Sequence, residues 1–267
     1  YGETARLLRE RLPRLGIETT FVDEATPEAF AAALRPRTKV LYLESPQNPT
    51  LRLTDLRASC DLARARGLVS IVDNTFATPW CQRPLGAGAD VVVHSMTKSL
   101  AGHGDAIGGV AVASRAVRDR IADVVVKGLG AVMAPLVASQ IARGIRTLDV
   151  RMERACASAT TIATWLETRA GVARVHYPFL PSHPDHALAR RQMRAGGALV
   201  SFELAGGQDA GRALLDRVRL VVHAVSLGDV RSLITHPAST TASTMPEADR
   251  RAAGIDDGLV RLSVGIE

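Results

Sequence analysis

The chain has 267 residues, of which 46% are hydrophobic and 22% charged, a balance that excludes a disordered or fibrous protein and suffices for a sizeable core. Its 33 Lys and Arg against 27 Asp and Glu give a net charge of +6. The basic residues are spread through segments such as LLRERLPRLG and RALLDRVRL and only 4% of residues are aromatic, which speaks against a nucleic-acid partner; an anionic small-molecule ligand would use the same charge.

No apolar run approaches the ~20 residues of a membrane helix. Cys60, Cys81 and Cys156 are odd in number and far apart, so neither a disulfide framework nor a CxxC metal site is written here, and a reducing cytoplasm fits. The chain opens on Tyr1 and stops at Glu267 directly after the apolar stretch VRLSVGI, so it reads as cut at both ends.

In chain order, TPEAFAAALR places a Thr26 cap before Pro27 and an acidic first turn, which predicts a helix; KVLYLES follows as a strand. TDLRASCDLARARG reads as a second helix from a Thr54 cap to a Gly67 stop, with strands LVSIVD and DVVVHS after it. Apolar strands of this kind, buried on both faces and alternating with helices, predict a largely parallel α/β sheet, whose ligands sit at the carboxyl ends of the strands. Polar residues collect at those ends: Glu44 to Asn48, Asp73 to Thr75 and His94 to Lys98. Beyond residue 148 the pattern changes to a long helix around RMERACASATTIATWLE, the strands ALVSFEL, RLVVHAV and LVRLSVGI, and a helix near AGRALLDRV. Two domains are expected, 1–148 and a smaller α+β domain over 149–267.

Lys98 lies among Ser95, Thr97 and Ser99, ahead of a glycine-rich stretch. It reads as a solvated loop lysine, an anion site or a Schiff-base lysine, whose amine is nucleophilic once its pKa is lowered. Asp73 ends its strand either as an Asx turn or as the partner of a pyridine ring nitrogen. Arg261 lies inside an apolar alternation, where a charge is costly unless paired, and reads as a half-exposed edge residue or as a fork for a carboxylate. GAGAD at 86–90 precedes a strand and opens no helix, so it is no dinucleotide motif, and no P-loop occurs. His176, His183 and His186 fall in a Pro-rich irregular loop and read as structural, not as metal ligands.

The segments YGET, YLESPQNPT, VDNTFATP, HSMTKSLAGHGD, RMERACASA, HYPFLPSHPDH, SLGDVRSLITHPASTT and LVRLSVGIE together resemble the Cys/Met-metabolism family of pyridoxal-phosphate (PLP) enzymes, from Tyr1 to Glu267. That resemblance implies the fold-type-I, aspartate aminotransferase-like PLP-dependent transferase architecture, with the N-terminal part of the cofactor domain and a last C-terminal helix missing. It also implies γ-elimination or γ-replacement on sulfur amino acids or homoserine derivatives. A methionine γ-lyase-like reaction is favoured, with an O-acylhomoserine sulfhydrylase or cystathionine γ-synthase, or a noncatalytic remnant, as alternatives.

By the same resemblance, Lys98 holds the cofactor covalently, Asp73 faces its ring nitrogen, Ser95 and Thr97 hold its phosphate, and Tyr1 stacks on the ring and relays a proton. Asn48 contacts the ring's 3-oxygen region with Glu44 behind it, and Ser226 with Arg261 fixes the substrate carboxylate. A homodimer or homotetramer is implied. Val225 stands where cystathionine-handling relatives typically carry a glutamate. Glu3 and Ala242 depart from a cysteine and a histidine that relatives carry.

Overall fold

The computed structural model describes residues 1–267. Thr26 caps the helix Pro27–Ala33, its hydroxyl oxygen accepting the Ala29 N–H at 3.2 Å. The following helix, Leu56–Ala65, is capped by Asp55 and not by Thr54: the Asp55 carboxylate accepts the Ala58 N–H at 3.1 Å. A cap must reach an amide two or three residues on, and Thr54 is instead buried, giving its own N–H to Ser45 Oγ at 3.2 Å.

The first sheet runs in the order β1 (Val40–Glu44), β2 (Val69–Asp73), β3 (Val91–Ser95), β4 (Gly109–Ala113). The first three strands are parallel, and β4 is antiparallel to β3. The sheet is therefore mainly parallel, as the helix and strand alternation implies. β1 and β2 are not buried on both faces, however, although β3 buries both Val91 and Val92. Leu41, Leu43 and Val72 pack with Phe30, Leu56 and Cys60 under the helices, while Val40 and Val69 remain exposed, because both of the helices described above lie on one side. β4 is the short, small-residue run GVAVA, too weak a pattern to stand out from the glycine-rich loop before it.

The second sheet contains β5 (Val172–His176), β6 (Leu199–Leu204), β7 (Val222–His223), β8 (Leu233–Thr235) and β9 (Leu259–Ser263), in the order β5-β6-β9-β8-β7. All neighbours are antiparallel except β7 and β8. Only two residues of the RLVVHAV run pair as a strand. The long helix Leu148–Leu166 and the helix Gly207–Arg217 back this sheet, with Ala159, Ala163, Val200, Phe202, Val260 and Leu262 in the core between them.

A further core of Leu100, Leu148, Met152, Cys156, Met193 and Ala198 joins the two halves. Across the same seam the Arg52 guanidinium meets Asp185 at 2.6 Å, and Ser201 Oγ donates to the Pro49 carbonyl at 2.6 Å. The three cysteines are free and buried, Cys81 and Cys156 with their sulfurs 3.7 Å apart. No helix is long and apolar enough to cross a membrane.

Candidate active site

Register places Glu44 beside Asp73 at the carboxyl ends of β1 and β2. One Asp73 oxygen accepts the Thr75 N–H at 3.0 Å and the Thr75 hydroxyl at 2.6 Å, and the other accepts the Tyr42 hydroxyl at 3.4 Å. Thr75 Oγ1 in turn accepts the Ser95 N–H at 2.9 Å, which ties the end of β2 to the end of β3. Below them Asn74 and Gln82 are fully buried, their amides bonded to each other at 2.9 Å and to the carbonyls of Thr78, Gln82 and Ser45. A satisfied buried network of this kind holds the strand ends rigidly. Burial pushes the Tyr42 phenol well up, with the charges of Asp73 and Glu44 adding to it. His94 is buried with Nδ1 unpartnered, and burial pushes it below the usual imidazole range.

Lys98 follows the end of β3 at a break in helical geometry, with φ −92° and ψ −140°. Its ammonium donates to Ser226 Oγ at 3.1 Å. Burial, and then the charge of Arg261, lowers its pKa, so more of the nucleophilic free amine is present than for a surface lysine. Arg261 lies in the middle of β9, between β6 and β8, and is 2% exposed; it is not a half-exposed edge residue. It donates to Asn48 Oδ1 at 2.9 Å and to the Val225 and Ser226 carbonyls at 2.8 and 3.2 Å, and its Nε has no partner. Burial pulls its pKa down to about 10.

Further out, the Asn48 N–H donates to one Glu44 oxygen at 3.2 Å, and the Tyr1 backbone nitrogen lies 2.6 Å from the other. Thr97 Oγ1 accepts the Gly108 N–H at 3.1 Å. The structure thus joins Tyr1, Glu44, Asn48, Arg261, Ser226 and Lys98 in one run of polar contacts, with Asp73 and Ser95 on the adjoining strand ends. Tyr42, which with Thr75 touches the Asp73 carboxylate, stands outside the polar clusters that the sequence marks. Thr75, two residues after Asp73 in DNT, offered an Asx-type signal, whereas Tyr42 reads as one more apolar strand position.

Two neighbouring cations, Lys98 and Arg261, have no carboxylate partner, and the Asp73 carboxylate has no cation. An uncompensated buried charge is costly. The unpartnered Nε and this separation of charge fit a group that brings an anion to the two cations and a ring N–H to Asp73. The residues present therefore fit pyridoxal phosphate together with an amino-acid carboxylate.

The model of the family described as "Cys/Met metabolism PLP-dependent enzyme" matches residues 1–267. The chain is 48% identical to an L-methionine gamma-lyase of Fusobacterium nucleatum subsp. nucleatum, over 100% of this chain and 68% of that protein. It is 43% identical to a cystathionine gamma-lyase of Bacillus subtilis, over 100% of this chain and 70% of the relative. Among solved structures, cystathionine gamma-lyase from Lactobacillus plantarum complexed with L-serine superposes with a TM-score of 0.95 at 39% identity, over 100% of this chain and 70% of that one.

Proposed function

From the premise that the chain belongs to the Cys/Met metabolism family of PLP-dependent enzymes, we propose that it carries out γ-elimination on a methionine-like amino acid, with Lys98, Asp73 and Arg261 as the centre of its chemistry. The observation that carries this reading is the contact of Lys98 with Ser226 beside a buried Arg261 that no acidic side chain pairs and whose Nε is unpartnered. γ-Replacement on an O-acylhomoserine by a thiol is the second reading. It uses the same residues and differs in what attacks after the leaving group departs.

Lys98 would hold the cofactor through its ε-amine, Ser95 and Thr97 its phosphate, and Asn48 its 3-oxygen side. When bound, the cofactor supplies an electron sink for the charge that develops at the substrate Cα and beyond. Asp73, aligned by Thr75 and Tyr42, keeps a proton on the ring nitrogen. Arg261 and Ser226 take the substrate α-carboxylate, with the Arg261 fork setting which bond at Cα is presented. Once its amine is free, Lys98 removes the Cα proton and moves protons at neighbouring carbons, a task suited to an amine of lowered pKa. Tyr1 would face the ring and pass a proton to the departing thiol.

Val225 gives its carbonyl to Arg261 at 2.8 Å and its residue is 56% exposed. Beside the substrate it would offer a distal ammonium no partner, which favours methionine-like over cystathionine-like substrates. Residues 1–148 as the cofactor domain and 149–267 as the smaller domain agree with the separate sheets. A homodimer or homotetramer is the assembly that the family resemblance implies, and the free cysteines suit a reducing cytoplasm.

The test is an assay of the full-length protein with PLP. L-Methionine should give equimolar methanethiol, ammonia and 2-oxobutanoate. Formation of a thioether from O-acylhomoserine and thiol, without 2-oxobutanoate from methionine, would select γ-replacement, and neither product would sink both readings.

A further inference from the structure

Arg151, on the helix Leu148–Leu166, is 7% exposed and forms no ion pair. Its Nη1 donates to the Ser99 carbonyl at 2.7 Å, its Nη2 to the Gly144 carbonyl at 2.7 Å and its Nε to Thr147 Oγ1 at 3.0 Å. Burial lowers its pKa. A buried guanidinium spent wholly on neutral oxygens is costly unless their geometry matters.

The oxygens it holds belong to the turn next to Lys98. Lys98 itself leaves helical geometry, while Ala101 N–H returns to the Met96 carbonyl at 3.0 Å and Gly102 N–H to the Lys98 carbonyl at 2.9 Å. The direction of the Lys98 side chain is therefore set by where residues 99–102 are anchored. Gly102 has φ +77°, and a Cβ there would lie 2.2 Å from Arg151 Nη1, so the guanidinium packs directly on the turn. From the other side Gly228, two residues after Ser226, has φ +74° and space for only a hydrogen, since a Cβ would meet the Ser99 nitrogen at 2.4 Å. Ser99 is thus gripped by Arg151 and by the loop that carries the Lys98 partner.

We propose that Arg151 is a positioning residue for Lys98: by clamping the Ser99 and Gly144 carbonyls it fixes the turn that aims the Lys98 amine at Ser226 and the substrate. This rests on the reading of Lys98 as the cofactor lysine. Arg151 touches neither substrate nor cofactor in this assignment. A lysine could not span both carbonyls, because an ammonium lacks the planar fork.

The experiment compares full-length wild type, Arg151→Lys, Arg151→Met, Thr147→Val and, as a control on the exposed face of the same helix, Arg154→Lys. Without cofactor, each is acylated by an amine-reactive ester across pH, and the labelling of Lys98 is read by peptide mass spectrometry against Lys39 and Lys127. With PLP, kcat and KM for methionine are measured. In wild type Lys98 should label at lower pH than the other two lysines. In both Arg151 variants its profile should move up toward theirs, and kcat should fall at least about tenfold with KM changed far less, since a small displacement of a reacting group carries a cost of that order. Thr147→Val, which removes one strut and keeps the charge, should give a smaller shift in the same direction; it reads the clamp if the Arg151 variants do not fold. Folded variants with a wild-type Lys98 profile and kcat would overturn the proposal, as would a lowered melting temperature with the Lys98 profile unmoved. If wild type retains no borohydride-fixed cofactor on Lys98, the functional reading fails on its own; the cofactor-free labelling still decides whether Arg151 positions that lysine.

Discussion

The two sheets contribute to one site by different physical routes. The parallel sheet offers loop residues at strand ends: Glu44 and Asp73 are the last residues of β1 and β2, and Lys98 follows the end of β3. There the backbone is leaving the ladder, so polar side chains gather without disturbing the strands. The antiparallel sheet instead places Arg261 in the middle of its central strand, paired in register with Ser201 and Thr235. A charge in that position is tolerated because Asn48 and the Val225 and Ser226 carbonyls reach it. The contrast suggests that the first sheet supplies the groups that do chemistry and the second the group that fixes the substrate, so substitutions in the two should separate into effects on kcat and on KM.

The largest effect is expected at Lys98. Lys98→Ala should lower kcat by about 10³-fold or more, within the range for a lost general base that is also the anchoring amine. Borohydride should no longer attach PLP to the peptide containing position 98, and attachment in the variant would refute the assignment. Asp73→Asn is expected to cost on the order of 10² in kcat with the fold intact, comparable to removing one oriented electrostatic group. Near-normal turnover at saturating PLP would remove Asp73 from the ring nitrogen.

Arg261→Lys tests the other sheet. KM for methionine should rise roughly 10-fold or more, since a charged hydrogen bond contributes about 1.5–3 kcal/mol, while kcat changes less. An unmoved KM in a variant with wild-type circular dichroism would break the division between the sheets. The smallest effect is expected at Val225, where Val225→Glu should raise kcat/KM for cystathionine relative to methionine about tenfold, because the new carboxylate can meet a distal ammonium. A ratio that stays fixed would show that the residue does not read that end of the substrate.

Much of this was legible in the residues because the strongest signals are local. Thr26 before Pro27, the apolar runs VLYLE and VVVHS, and the polar clusters after them mark elements and their ends with no need of tertiary information. Signals that depend on neighbours were weaker. Thr54 and Asp55 both suit a cap, and only the packing that buries Thr54 against Ser45 left the capping to Asp55. β7 shrank to Val222–His223 because its partner β8 is itself only Leu233–Thr235.

By itself the sequence determined the helix and strand alternation, the sheet type and the polar residues at strand ends, since each follows from periodicity, caps and turn chemistry within a few residues. With its motifs in order it also pointed to the family. Only the tertiary structure decided that Arg261 is buried in a central strand with no acidic side chain beside it, that Asp73 also meets the Tyr42 hydroxyl, and that Arg151 grips the turn beside Lys98. Those facts join residues up to 213 positions apart, and burial and charge pairing at such separation are set by packing between elements, which no local pattern encodes.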